Sequence, residues 1–176
     1  MSAPPPTIPV IVDEAKLQVR VRELGEQISR DYAGKHLDVI CTLNGAVTFT
    51  ADLVRHLTIE TTQHYLGFAS YDKTGDSGEV RINLDITMPL QGRHVLVVEG
   101  AVVSGRTPRY ITDVLRQRRP ASIAMCALIL KPRMLAVELP LKYVGFELGD
   151  EMAVGYGIGH GAHRALPYLG DGTTKH

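Results

Sequence analysis

The segment Ser104-Gly105-Arg106-Thr107 places two hydroxyls, a guanidinium and consecutive backbone N–H groups within four positions. Such a loop can hold a phosphate, because it offers several hydrogen-bond donors and a positive charge. Residues 95–98 before it have the β-branched density of a buried strand, and Pro108 after it suits the first helical position, with Thr107 as the N-cap. The sequence therefore predicts a strand, an anion-binding loop and a helix. A buried strand entering a tight turn, without any ligand, explains the same segment.

Predicted strands alternate with predicted helices along the chain. Helical periodicity begins at Asp13, which suits an N-cap, and returns in two later segments, while a polar loop at 72–78 joins two strands as a hairpin. This alternation predicts an α/β fold with a mainly parallel, doubly wound sheet flanked by helices. Apolar runs place the strands at 38–43, 61–69, 79–86, 95–98, 122–130, 142–146 and 152–156.

In a sheet of this kind, ligands bind beyond the carboxyl ends of the strands. Several residues with suitable side chains follow strands at that edge, and we expect them to surround one crevice. Taken singly, Lys131 has the pattern of a solvated cation and Asp150 that of a turn residue. The residues at the strand ends are Asn44, Gly45, Ser70, Tyr71, Glu99, Lys131 and Asp150, together with Ser104, Gly105, Arg106 and Thr107.

Composition narrows the classes of partner. The 176 residues carry 19 basic and 19 acidic side chains, so no overall charge favours nucleic acid or an anionic membrane. Cys41 and Cys126 lie in apolar strands and are predicted to be reduced core residues. No apolar run reaches the length of a membrane span, and a cytoplasmic location is expected.

The chain is predicted to be one domain with two tails. Residues 13–169 hold the predicted helices and strands, and no linker divides them. Residues 1–12 are predicted to form an extended Pro-rich tail that could lie on a neighbouring subunit. Residues 170–176 are predicted to form a flexible C-terminal tail.

These residues resemble those of the hypoxanthine-guanine phosphoribosyltransferases, purine-salvage enzymes of the type I phosphoribosyltransferase fold. The resemblance implies a small hood built from the terminal segments, Mg²⁺ as cofactor, and a homodimer or homotetramer. It also implies transfer of ribose 5-phosphate from phosphoribosyl pyrophosphate (PRPP) to hypoxanthine or guanine, which yields IMP or GMP and pyrophosphate. The matching segments are 43–55, Ser70-Tyr71 with 77–80, 95–107, Lys131, 143–147, Asp150, 154–157 and 164–168.

The resemblance further implies a role for each matching residue. From pattern alone, Tyr143 is more simply a packing residue of its strand, whereas the resemblance implies that its ring stacks on the purine. The implied 5-phosphate contacts are Ser104, Gly105, Arg106 and Thr107; the purine contacts are Lys131, Tyr143, Val144 and Asp150; the pyrophosphate and mobile-loop contacts are Asn44, Gly45, Ser70, Tyr71 and Arg164; and the Mg²⁺ and ribose contacts are Glu99 and Asp150.

Four positions depart from the pattern of the family. Gly100 replaces one acid of a pair, Val103 replaces the general-base Asp, Asn44 stands where Lys is usual, and Gly159-His160 replaces an Asp-aromatic pair. Valine cannot accept a proton, and a positioned proton acceptor contributes about 10²–10⁴-fold in rate. We therefore expect a protein that binds purine nucleotide and PRPP with weak or lost catalysis. The alternative is an active purine-salvage enzyme, while an RNA- or DNA-binding regulator of the same fold is disfavoured by the zero net charge.

Overall fold

The computed structural model of the chain describes residues 8–71 and 79–173. Strands and helices alternate through these ranges, as the apolar runs predict. Two short 3₁₀ helices, Pro132–Met134 and Gly161–Ala165, lie in the connections. The other elements are β1 (Val10–Val12), α1 (Glu14–Asp31), β2 (Leu37–Thr42), α2 (Val47–Val54), β3 (Thr61–Tyr71), β4 (Glu79–Leu84), β5 (His94–Val102), α3 (Arg106–Arg116), β6 (Ser122–Leu130), β7 (Leu141–Glu147), β8 (Ala153–Val154) and β9 (Leu169–Asp171).

Six of the described strands form one sheet in the order β4-β3-β2-β5-β6-β7. All neighbouring pairs from β3 to β7 are parallel, and β3 and β4 form an antiparallel hairpin at one edge. The predicted mainly parallel sheet is therefore confirmed. The loop predicted at 72–78 lies outside the described residues. Because β2 and β5 are neighbours near the centre, the segments that follow them leave the sheet side by side.

Helices cover both faces of this sheet. Asp13 caps α1, as its residue type predicts, because Asp13 Oδ1 accepts a hydrogen bond from the Lys16 N–H (2.8 Å). α1 buries Leu17 and Ile28 in the core on one face, while α3 buries Ile111 and Leu115 in the core on the other. The strand β5 contributes side chains to both cores, which explains its continuous apolar run.

A buried ion-pair network joins three strands at the edge of the sheet where the parallel strands begin. Asp38 on β2 has no exposed surface, and its carboxylate accepts hydrogen bonds from Arg93 Nε (2.5 Å), Arg93 Nη2 (2.9 Å) and His64 Nε2 (2.8 Å). Burial acts to raise the pKa of Asp38, but the hydrogen bonds from Arg93 and His64 outweigh it and hold the pKa below its usual value. The network therefore fixes β2, β3 and the start of β5 at the edge opposite the predicted site.

The terminal segments form a second, three-stranded sheet in the order β1-β9-β8, which we call the hood. β1 pairs antiparallel with β9, and β9 pairs antiparallel with β8. A hood from the terminal segments is what the resemblance implies. The domain boundaries expected at residues 12 and 170 differ from this arrangement, since Val10–Val12 and Leu169–Asp171 pair with each other inside the folded unit. The tail predictions for 1–7 and 174–176 fall outside the described residues.

The start of α3 differs from the sequence prediction. The N-cap is Gly105, with φ of 78°, and the helix begins at Arg106, so Thr107 is not the N-cap and Pro108 is not the first helical residue. The reason is that β5 continues to Val102, beyond the predicted end at residue 98, and the chain then turns sharply at a left-handed glycine. Pro108 still lies in the first turn, where its missing N–H costs no helical hydrogen bond.

Cys41 and Cys126 are buried free thiols, as predicted. Within the described ranges, no helix combines the length and the apolar character that crossing a membrane requires.

Candidate active site

A crevice of about 400 Å³ opens at the carboxyl ends of β2 and β5, and we call it the strand-end crevice. This volume lies within the usual range for small-molecule sites. Its walls come from the ends of β2 and β5, from β3, and from the segment that connects β8 to β9. The lining residues are Thr42, Leu43, Asn44, Gly45, Phe68, Glu99, Gly100, Ala101, Gly157, Ile158, Gly159, His160 and Arg164.

Glu99 is the one carboxyl side chain among these lining residues, and it is 7% exposed. Its Oε2 lies 2.8 Å from Thr42 Oγ1, while its Oε1 has no hydrogen-bond partner in the described part of the chain. Thr42 Oγ1 also lies 2.9 Å from Val98 O, and a hydroxyl has only one proton to donate. The Thr42 hydroxyl therefore divides its one proton between Glu99 Oε2 and Val98 O, both of which accept. Burial raises the pKa of Glu99 to about 7, and the hydrogen bond that Thr42 donates acts in the opposite direction.

The segment 43–46, which we call the β2–α2 loop, packs directly on β5. A Cβ placed on Gly100 would lie 2.6 Å from the Gly45 carbonyl oxygen and 2.8 Å from its carbon. On the other side of the loop, a Cβ on Gly157 would lie 3.4 Å from the same oxygen and 2.8 Å from Thr48 Oγ1. The Gly45 carbonyl thus lies between two glycines. A side chain at position 100 fits only if the β2–α2 loop moves away from β5.

Arg164 links the hood connection to the β2–α2 loop. Its Nε donates to Gly157 O (2.8 Å) and its Nη2 donates to Asn44 O (2.8 Å). Both acceptors are neutral carbonyls, so these bonds orient the guanidinium without neutralising its charge. The resemblance implies that Asn44, Gly45 and Arg164 act together, and the structure brings these three residues into one crevice.

The predicted phosphate loop follows β5 at the same edge. Ser104 and Arg106 are exposed, and Gly105 lies at the start of α3. Ser104 O accepts a hydrogen bond from Ala136 N (3.0 Å), so the segment after β6 packs beside the loop. An exposed helix start preceded by a glycine is a suitable anion site, although phosphate binding there stays a prediction. Thr107 is half-buried in the first turn, and Val103 lies half-buried between β5 and the loop.

Tyr143 does not reach the crevice. Its side chain is 1% exposed and lies in the core beneath α1, and its hydroxyl donates to Asp31 Oδ2 (2.7 Å). The purine-stacking role that the resemblance implies for Tyr143 therefore does not agree with its position. The physical reason is the alternation of side chains along β7, which turns Tyr143 toward α1 and Val144 toward the opposite core. Val144 packs there, and its carbonyl accepts a hydrogen bond from Arg20 Nη2 (2.8 Å).

The remaining predicted residues lie along the same edge but outside the crevice lining. Lys131 directly follows β6, and its N–H donates to Val102 O (2.9 Å), which places it next to the end of β5. Asp150 is exposed in the segment after β7. Ser70 and Tyr71 end β3, and their side chains are outside the described part of the structure.

Phe68 is a crevice residue that sequence reasoning did not assign to the site, and His160 was noted there only as a departure from the pattern of the family. Phe68 is the aromatic ring in the described lining, a place that the sequence prediction gave to Tyr143. His160 lies in the glycine-rich segment 155–161, where four glycines have positive φ angles. That density of glycines was a usable signal, because it indicates a chain path that side chains would obstruct.

The resemblance implies Mg²⁺ contacts from Glu99 and Asp150. Glu99 is on β5 and Asp150 follows β7, with β6 between the two strands. Mg²⁺ binding at either carboxylate stays a prediction. Across residues 8–71 and 79–173, no group of three or more His, Cys, Asp or Glu side chains is placed to hold a metal.

Comparison with known proteins defines the class to which this fold and crevice belong. The model of the phosphoribosyl transferase domain matches residues 11–158 of the chain. The sheet order, the hood and the strand-end crevice described above all lie in or next to that range.

Similar proteins narrow the class. The hypoxanthine phosphoribosyltransferase of Haemophilus influenzae is 38% identical over 169 residues, which cover 93% of this chain and 94% of that protein. The hypoxanthine-guanine phosphoribosyltransferase of Dictyostelium discoideum is 36% identical over 92% of this chain and 93% of its own length. A crystal structure of the Bacillus anthracis hypoxanthine-guanine phosphoribosyltransferase superposes with a TM-score of 0.86 at 35% identity, covering 94% of this chain and 98% of that one. The chain belongs to the hypoxanthine-guanine phosphoribosyltransferase family and has the type I phosphoribosyltransferase fold.

Proposed function

We propose that the strand-end crevice binds a purine nucleotide, IMP or GMP, and its phosphoribosyl precursor PRPP, and that transfer between PRPP and a purine base is slow. The observation that carries the proposal is the position of Glu99, Arg164 and the β2–α2 loop in one crevice beside the 104–107 helix start. Lys131, next to the end of β5, would then contact the 6-oxo group of the base. Phe68 supplies an apolar ring in the same crevice.

Slow transfer follows from the side chains at the end of β5. Proton transfer at the purine needs a nearby acceptor, and Val103 offers only methyl groups. No neighbouring side chain can take the place of the acid that is missing at Gly100, because the Gly45 carbonyl occupies the space beside Gly100. Glu99 retains a carboxyl group to contact the ribose. Binding contacts alone keep part of a rate enhancement, so we expect slow turnover above the uncatalysed rate.

An active purine-salvage enzyme is the second candidate, and the comparisons favour it. Proteins named as hypoxanthine and hypoxanthine-guanine phosphoribosyltransferases match more than nine-tenths of this chain. In that case hypoxanthine or guanine and PRPP are the substrates, and IMP or GMP and pyrophosphate are the products. A homodimer or homotetramer and a cytoplasmic location remain predictions under both candidates.

A direct assay separates the two candidates. The purified chain is mixed with PRPP and hypoxanthine or guanine, with and without Mg²⁺, and nucleotide formation is followed beside an active relative. We expect turnover at least about 10²-fold below that relative, the size of a missing proton acceptor. Turnover equal to the relative would establish the salvage enzyme instead. Absence of IMP binding in calorimetry would refute the nucleotide site itself.

Restoring an acid at position 103 tests the reason for slow transfer. Val103→Asp should raise the rate, because it adds a proton acceptor, whereas the matched control Val103→Asn adds a similar shape without one. Adding Gly100→Asp to it should give little further gain, since that side chain meets the Gly45 carbonyl. Equal rates for the Asp and Asn variants, both folded, would contradict the assignment of position 103.

A further inference from the structure

The hood connection, residues 155–168 between β8 and β9, begins with three residues of positive φ. Gly155, Tyr156 and Gly157 have φ angles of 110°, 51° and 91°. A residue with a Cβ rarely adopts such a φ, and it does so where the surrounding structure holds it. The Tyr156 N–H donates to Leu166 O (2.8 Å), which fixes the backbone on one side. A strained tyrosine between two glycines indicates that contacts of its side chain also hold the segment.

The Tyr156 side chain joins the hood connection to α2. The residue is 4% exposed, and its hydroxyl donates a hydrogen bond to Asp52 Oδ2. Gln18 Nε2, on α1, donates to the same oxygen (3.3 Å). Burial and the neighbouring Asp52 carboxylate raise the pKa of Tyr156, so the hydroxyl keeps its proton and remains the donor. One carboxylate oxygen on α2 thus receives donors from two other parts of the fold.

This hydrogen bond lies next to the strand-end crevice without forming its lining. Asp52 and Tyr156 line a second cavity, of about 250 Å³, which shares Gly157 and Arg164 with the crevice. Neither side chain of the bonded pair is among the residues that line the crevice itself. An effect of the pair on a ligand in the crevice is therefore exerted by positioning other groups.

Asp52 lies on the helix that continues the β2–α2 loop. α2 has eight residues and directly follows the loop, so a bond that fixes Asp52 also restrains the loop. In the first turn of α2, Thr48 packs on the hood connection, since a Cβ on Gly157 would lie 2.8 Å from Thr48 Oγ1. Within the loop, Asn44 O accepts a hydrogen bond from Arg164 Nη2 (2.8 Å). The hood connection therefore contacts the loop, the first turn of α2 and its last turn.

We propose that Tyr156 is a positioning residue, whose hydrogen bond to Asp52 holds the β2–α2 loop at the spacing from the hood connection that the pyrophosphate of PRPP requires. The inference rests on the proposed function, since it assumes that the crevice takes PRPP. The pyrophosphate is the part of PRPP that would contact this loop, whereas the 5-phosphate, which IMP also carries, is expected at residues 104–107. Loss of the Tyr156 hydroxyl should therefore weaken PRPP binding and spare IMP binding.

Calorimetric titration of the intact chain with PRPP and with IMP, both in excess MgCl₂, tests the proposal. Tyr156→Phe should weaken PRPP binding at least about fivefold and IMP binding less than about twofold, because the loop is then less often at the binding spacing. Tyr32→Phe is the matched control and should leave both affinities unchanged. Tyr32 is a buried ring of the same core, but it contacts His94 at the edge where the parallel strands begin.

Three results would overturn the inference and leave the nucleotide site standing. They are unchanged PRPP affinity in Tyr156→Phe, equal weakening of PRPP and IMP, and a wild type that binds IMP but not PRPP. Equal loss of PRPP affinity in Tyr32→Phe would overturn it as well, because the effect would then belong to the core in general. A wild type that binds neither ligand would overturn the proposed function together with the inference.

Variants of Asp52 form a second, independent arm of the test. Asp52→Ala should lose PRPP affinity by about the same factor as Tyr156→Phe, and Asp52→Asn should lose less, because its amide oxygen still accepts a hydrogen bond. Adding Tyr156→Phe to Asp52→Ala should give little further loss, since residues that act through one bond are not additive. Losses that multiply in the double variant, or unchanged PRPP affinity in Asp52→Ala, would overturn the inference.

Discussion

Protonation of Glu99 should couple the stability of the fold to pH. Burial raises the pKa of this group from its ordinary value of 4.5 to about 7. Each pKa unit corresponds to about 1.4 kcal/mol, so the shift corresponds to about 3 kcal/mol. The side chain is only 7% exposed, so solvent does little to reduce this value, and the hydrogen bond that Thr42 donates to the carboxylate is already included in the raised pKa.

The sign follows from which state holds the proton more tightly. The folded chain does, so this stabilisation is fully present below about pH 4.5 and is lost as the pH rises through about 7. Through Glu99 alone, the free energy of unfolding should fall by about 3 kcal/mol between pH 4 and 8. Carboxylates with lowered pKa values, such as Asp38, act in the opposite direction, because their contribution is lost as the pH falls.

Urea denaturation of the wild type and Glu99→Gln across this pH range isolates the contribution. Gln has nearly the same shape but no proton to lose, and the other titrating groups are common to both chains and cancel in the difference. The stability of the variant relative to wild type should therefore rise by about 2–3 kcal/mol from pH 5 to 8. A difference that stays constant with pH would refute the interpretation of Glu99 as a buried acid.

Three further substitutions test the packing around the site and at the opposite edge. Gly100→Ala should lower the free energy of unfolding by about 1–3 kcal/mol, since its Cβ meets the Gly45 carbonyl; stability equal to the exposed control Ala101→Ser would contradict that packing. Asp38→Asn should cost about 3 kcal/mol in urea denaturation, because it leaves Arg93 without its carboxylate, and a loss under 1 kcal/mol would show the network to be unimportant. Tyr143→Phe should cost about 1 kcal/mol in urea denaturation through the lost bond to Asp31, and a variant as stable as the wild type would contradict the contribution of that hydrogen bond.

The helices and strands, and their order along the chain, could be predicted from the sequence. The apolar run at 122–130 coincides with β6, and Asp13 caps α1 as its side chain predicts. Both features depend on local chemistry, burial along one strand and a hydrogen bond across one turn, which neighbouring residues determine. The mainly parallel sheet followed from the alternation of these elements.

The composition of the site was predictable only in part. Asn44, Gly45 and Glu99 follow strands at the expected edge and line the crevice. Tyr143 could not be placed, because β7 is covered by cores on both faces and shows no alternation that reveals which side its ring occupies. His160 was noted only as a departure from the family pattern, because its place in the crevice depends on a contact between segments far apart in the chain.

The hood also fixes when the site can form during synthesis. β1 lies near the start of the described chain, and it pairs with β9 at residues 169–171, near the end. The main sheet can assemble earlier on the ribosome, but the wall that carries His160 and Arg164 belongs to the segment held between β8 and β9. A ligand stabilises only a state that binds it. A ligand that needs the wall with His160 and Arg164 therefore stabilises only molecules whose synthesis has passed β9.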